Sequence, residues 1–248
     1  MLVPEDSPLR NPPRELSRKQ ILILDGIRYA AEIADLSYER LTAALHAISA
    51  SKEERSTRDI AVAMADAWSI VDAVHRFHDF ILSMPGLKHA LWLKLFKKRT
   101  EDICELRNYV QHFLKEIDKS LTSGGQLWGY ISWAEVVGGR HTGKWLMISP
   151  GTVFVGDEWF FIGPMKLPFP VPEGCIRLNA FGKEVYLGRA VEAVREAVRK
   201  LTSELATGNV KPHSIPAIDR RGADVGFEGW IEVEIERKRA PQDPASLK

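Results

Sequence analysis

Three residues in one short stretch, Arg107, Asn108 and His112, have types and spacing suited to phosphate chemistry. An arginine forks two N–H donors onto phosphate oxygens and keeps its charge as negative charge builds. A histidine of near-neutral pKa moves a proton to or from a ribose 2′-hydroxyl or a leaving oxygen. Asn108 would hold the imidazole or bind the phosphate. The set asks for no metal. The chemistry that fits is binding and cleavage of a ribonucleotide phosphate.

These residues fall within a periodic stripe, Ile103, Leu106, Val110, Phe113, Ile117 and Leu121, that predicts a helix. At about 100° per residue, Asn108 and His112 are neighbours on a face turned away from that stripe, and Arg107 lies at its border. Positions three and four from Arg107 hold Ile103, Cys104, Val110 and Gln111, so no intrahelical carboxylate explains it. Glu116, four residues beyond His112, would orient the imidazole and favour its charged form. The plain alternative is a solvated helix face.

The elements that must position them read as follows. Leu24, Ile27, Ala31, Ala34, Tyr38, Leu41, Leu45 and Ile48 form one stripe on a long helix, with Gly26 weakening its first turns. Ile60 to Ile81 carry a second stripe, stopped by Pro85-Gly86. A short segment over 87–97 follows, and Thr100 is positioned to cap the next helix, ahead of Glu101 and Asp102. Beyond Gly124-Gly125 the pattern becomes strands, at 128–137, 144–149, 152–155 and 159–162, with Gly and Pro turns between them. Residues 165–173 hold three prolines and predict a loop. Residues 175–187 read as more strand bent at Gly182, and Val191 to Leu205 as one helix. Ile231, Val233 and Ile235 alternate with Glu232, Glu234 and Glu236 as a strand with one wet face.

The fold class expected is α+β: an N-terminal four-to-five-helix bundle over 14–123, then a smaller antiparallel-sheet-plus-helix module over 126–238 with its helix near 188–206. Segments 1–13, with four prolines, and 239–248 read as loose ends. Net charge is +1, so no global field draws the chain to nucleic acid or membrane, and any basic surface must be local. Two cysteines are too few for a disulfide scaffold and suit a reducing, cytoplasmic setting. No secretory leader is recognisable, and no apolar run approaches the roughly 20 residues a membrane span needs.

Other constellations compete. Asp72, His75, Arg76, His78 and Asp79 crowd the second helix, and Asp72, His75 and Asp79 resemble part of a metal site. Asp72 and Arg76 are equally an ordinary i,i+4 pair. A third reading has Asp72 or Asp79 supporting Arg107 or His112 across the bundle. Residues 138–144 match G-x-x-x-x-G-K, but Trp145 replaces the magnesium-binding hydroxyl and a strand-like run follows, so a hairpin loop is expected. Lys94, Lys97, Lys98 and Arg99, with Lys88 and His89, form the best local basic patch for RNA phosphates. A solvated face is its competing explanation.

The string Arg107-Asn108-Tyr109-Val110-Gln111-His112 resembles the R-x4–6-H signature of HEPN domains, in which a polar residue commonly follows the arginine. The resemblance covers the first half of the chain. It implies a compact bundle with the motif on a late helix. It also implies a homodimeric, metal-independent endoribonuclease of toxin, defence or RNA-processing systems, with two motif copies meeting across a cleft. Arg107, Asn108 and His112 would be catalytic, no cofactor would be needed, and a cognate partner protein is possible. Some toxin members carry a tyrosine two positions after the histidine, where this chain has Leu114. The competing expectation is a non-catalytic protein that uses the bundle for dimerisation or interaction.

Overall fold

The computed structural model describes residues 2–51, 56–87, 90–111, 128–136, 143–150 and 175–212. Helix α1 spans Arg18–Ala50, α2 Thr57–Ser83 and α3 Leu91–Gln111. Strands β1 (Tyr130–Val136), β2 (Gly143–Ile148), β3 (Arg177–Ala180) and β4 (Lys183–Tyr186) follow, and helix α4 covers Leu187–Ala206. The architecture is α+β: among the described residues, three helices lead into a small antiparallel sheet and a further helix.

The starts of α1 and α2 have local causes. Ser17 and Gln20 form a reciprocal capping box on α1, the Ser17 hydroxyl accepting from the Gln20 N–H and the Gln20 side chain from the Ser17 N–H. Ser56 caps α2 through the Asp59 N–H at 3.2 Å, and the Asp59 carboxylate sits where the helix dipole favours it. Helix α1 therefore begins eight residues before Gly26, and Gly26 is not a fraying point. A β-carbon there would lie 2.8 Å from the Phe80 ring, so glycine lets that ring rest on the α1 backbone.

The boundary expected at Thr100 does not exist. The Thr100 side chain is buried and donates back to the Phe96 carbonyl at 3.0 Å. Threonine satisfies its hydroxyl this way inside a helix, and residues 91–97 of the expected short segment already belong to α3.

The sheet order is β2-β1-β3-β4, all neighbours antiparallel. Ala180 pairs with Lys183, leaving Phe181 and Gly182 as a two-residue loop, both at positive φ (54° and 72°). That is the pattern of a type I′ hairpin turn, in which a bulky residue at the first position is unusual. What reads as one bent strand is therefore two strands. Two side chains tie β1 and its approach to the helices. Trp133 Nε1 donates to Ser49 Oγ at 3.1 Å, and Trp68 Nε1 to the Trp128 carbonyl at 3.3 Å.

Helix α4 packs against α1, α2 and α3 as well as β3. Its apolar face, including Val191, Val194, Val198, Leu201 and Leu205, joins the same buried cluster as the N-terminal helices and the sheet. The sequence pattern associates this helix with the strands, because α4 follows them directly in the chain. Arg195 also pairs with Asp35 of α1 at 2.7 Å, and Arg99 of α3 with Glu196.

The N-terminal arm corrects the expectation of a loose end. Val3 and Leu9 are fully buried against the helices, and Arg10 pairs with Glu32 while its Nε donates to the Val3 carbonyl. The prolines shape turns here instead of preventing packing: Ser7 N–H donates to the Pro4 carbonyl, and Leu16 N–H to that of Pro13. The strands expected at 152–155, 159–162 and 231–235, the loop at 165–173, the boundary near 123–126 and the tail at 239–248 lie outside the described residues.

Candidate functional site

Helix α3 sets Arg107 and Asn108 as the wheel predicts: Leu106 is buried, Arg107 half-buried and Asn108 exposed. Arg107 is not idle. Its Nε donates to Asp72 Oδ1 at 2.8 Å, across from α3 to α2. The other carboxylate oxygen, Oδ2, accepts from Arg76 Nε at 2.6 Å. One carboxylate thus steers two guanidiniums, each held by Nε alone. Among the described residues no hydrogen bond engages the terminal nitrogens of either arginine. The terminal nitrogens of a guanidinium are the donors that match two phosphate oxygens. The local charge is one carboxylate against two cations.

Burial by itself would raise the Asp72 pKa. The hydrogen bonds and charges of Arg76 and Arg107 overcome that and hold the carboxyl below the usual aspartate range. So Asp72 stays charged and keeps both arginines in place at neutral pH.

The other residues singled out from sequence divide clearly. Asp79 does not reach Arg107. It is exposed and serves His75 Nδ1 at 3.4 Å and His78 Nδ1 at 3.5 Å. Burial first, then the charges of His75 and Lys97, lowers the His78 pKa against the opposing pull of Asp79. Its environment thus disfavours the charged form of His78, whose ring tilts against Phe96. Among the described residues no group of three or more His, Cys, Asp or Glu is placed to hold a metal ion. Cys104, free like Cys175, has its thiol pushed up to about 12 by burial and then by Asp79 and Glu101, so it stays protonated.

Lys94, Lys97, Lys98 and Arg99 are all exposed on α3. They do not converge on Arg107. Lys98 lies nine residues away, about half a turn round and roughly 14 Å along the axis. Arg99 is engaged by Glu196. Gly143 and Lys144 open strand β2, which gives the glycine-rich stretch no helix N-terminus for a phosphate. His112, Glu116, Lys88, His89 and residues 138–142 lie outside the described residues.

A groove that the catalytic motif does not announce adjoins the arginines. Helices α1 and α2 flank a surface groove of about 580 Å³. From α1 come Gly26, Tyr29, Ala30 and Ile33, and from α2 Trp68, Ser69, Asp72, Arg76 and Phe80. The signal was present in the chain. Leu22, Gly26, Tyr29, Ile33 and Leu36 recur at steps of four and three, a second stripe beside the one that forms the core. Leu22 and Leu36 remain 71% and 54% exposed, so this stripe is not core. Trp68, Asp72, Arg76 and Phe80 are each four residues apart and form one row along α2. Comparison with known proteins found no matching family model, no matching curated protein and no matching solved structure.

Proposed function

We propose that this chain is a metal-independent endoribonuclease of the HEPN type, acting in the cytoplasm as a homodimer, in a toxin or defence setting. The observation that carries the reading is Arg107, half-buried and held through Nε by Asp72, with Asn108 exposed beside it. Preorganisation of this kind lets a guanidinium stabilise a developing phosphorane charge without first paying to reorient. In the reaction, the ribose 2′-oxygen attacks the adjacent phosphorus and loses its proton. The bond to the 5′-oxygen breaks, and that oxygen gains a proton. His112 is the proton carrier, and two copies of the motif meeting in the dimer supply one acceptor and one donor. Arg107 holds the non-bridging oxygens, and Asn108 assists.

The test is RNA cleavage in EDTA, with Arg107→Ala and His112→Ala each lowering the rate at least about 100-fold and the products ending in 2′,3′-cyclic phosphate. Full activity in either variant, or its loss on chelation alone, overturns the reading. Light scattering checks the dimer.

A second reading has its own support. Leu22, Ile33 and Leu36 on α1 and Val62 on α2 are large apolar residues left exposed. A non-catalytic scaffold that binds a second copy or a partner protein would use such a face. Among the described residues no helix is long and apolar enough to cross a membrane.

A further inference from the structure

We infer that the groove between α1 and α2 is the base-binding subsite of a single-stranded nucleotide whose phosphate rests on Arg76 and Arg107. The inference depends on Arg107 being the phosphate anchor. It adds a location for the base, a second phosphate ligand in Arg76, and a requirement that the substrate be unpaired.

Three observations converge. First, the groove and the arginines are one continuous surface, because Asp72 lines the groove while bonding both guanidiniums, and Arg76 itself lines it. Second, the lining has the chemistry of a stacking platform. Tyr29, Trp68 and Phe80 supply three rings, and Ser69 a hydroxyl for a base edge. Unpaired bases bind proteins by stacking on such rings, with a cationic track for the backbone. Third, the spacing suits one nucleotide. In the row Trp68, Asp72, Arg76, Phe80, neighbours stand about 5–6 Å apart, so an aromatic ring lies one step from the charged pair on either side. The volume of about 580 Å³ lies within the usual range for small-ligand sites.

The rings are held for this task. The Arg28 guanidinium lies 4.1 Å from the Tyr29 ring centroid, and its side chain is itself buried and paired with Asp25. Gly26 lets Phe80 lie against the α1 backbone, and Trp68 is anchored through its indole N–H to the Trp128 carbonyl. A duplex would keep its bases stacked on one another and could not insert one between two helices.

The experiment is calorimetric titration of the full chain with 5′-AMP, adenosine and ribose 5-phosphate. The expected result is that AMP binds at least about tenfold more tightly than either fragment. Tyr29→Ala should weaken AMP about tenfold and leave ribose 5-phosphate unchanged. Arg76→Ala should weaken AMP and ribose 5-phosphate together and leave adenosine unchanged. Both positions are substantially exposed, at 45% for Tyr29 and 63% for the Arg76 side chain, so the variants should fold. Equal binding of AMP and ribose 5-phosphate, or wild-type AMP affinity in Tyr29→Ala, overturns the subsite. So does a doubled mass in light scattering that falls to one chain in Ile33→Asp, since a partner would then fill the groove. A chain that discriminates as expected but cleaves no RNA keeps the subsite and loses the nuclease. One that cleaves RNA but binds AMP no better than ribose 5-phosphate keeps the nuclease and loses the subsite.

Discussion

Two aspartates six residues apart on α2 meet opposite environments. Asp72 shares its oxygens between Arg76 and Arg107 and is held below the usual range. Asp66 is almost fully buried, with Oδ1 on Arg40 at 3.1 Å and, among the described residues, no hydrogen bond to Oδ2, so burial raises its pKa and Arg40 offsets only part of that. Their pH signatures must therefore differ in sign. The stabilisation from Asp72 is intact above the unfolded value of about 3.9 and is lost as pH falls through its lower folded pKa. For Asp66 the folded state favours the proton, so stability rises as pH falls through its folded pKa towards about 3.9. Urea midpoints at pH 6 and pH 3.5 test this. The deficit of Asp72→Asn relative to wild type should shrink on acidification, whereas wild type should gain on Asp66→Asn. Parallel pH profiles for the two variants would contradict the assignment. The chain itself shows that Arg107 has no carboxylate three or four positions away on its own helix. That its partner is Asp72 and not Asp79 depends on how α3 rotates against α2, which no local pattern encodes.

The helices were legible because burial imposes a three-four period on any one-sided helix, and the stripes from Leu24 to Ile48 and Ile60 to Ile81 display it. Boundaries were less so. Thr100 has the composition of a cap yet bonds the carbonyl four residues back, and only the burial of its side chain distinguishes the two uses. The start of the sheet gives a sharper test of local geometry. Gly129 has φ +73°, and a β-carbon there would sit 2.1 Å from the Asn179 carbonyl oxygen, which is backbone and cannot swing aside. Gly129→Ala should destabilise by about 2 kcal/mol or more, from strain and from the displaced β1–β3 pairing. In a chain of this size that lowers the thermal midpoint by about 5 °C or more. A midpoint within about 1 °C of wild type would show that β3 yields freely.

At the scale of the molecule, the bundle is completed by a helix from the far end of the chain. Leu187, Val191, Val194, Val198, Leu201 and Leu205 are all buried, and α4 touches α1, α2 and α3. A fragment of residues 14–123 should therefore expose the apolar surface that α4 covers. It is expected to bind ANS and to unfold without a sharp transition, whereas the full chain melts cooperatively. A fragment with a steep thermal transition and no dye binding would make the first half a self-sufficient domain. The arm was illegible for a related reason: Val3 and Leu9 are isolated apolar residues among prolines, and only the surface they meet reveals that they are buried.

The direct passage from β4 at Tyr186 into α4 at Leu187 has a mechanical consequence. With no linker between them, and with the Leu187 N–H donating to the Ile176 carbonyl at 3.0 Å, the hairpin is a lever bolted to the bundle. Any torque applied at its tip, at Phe181 and Gly182, is delivered to the helix that clamps α1, α2 and α3, so the sheet cannot swing independently of the groove and the arginine pair.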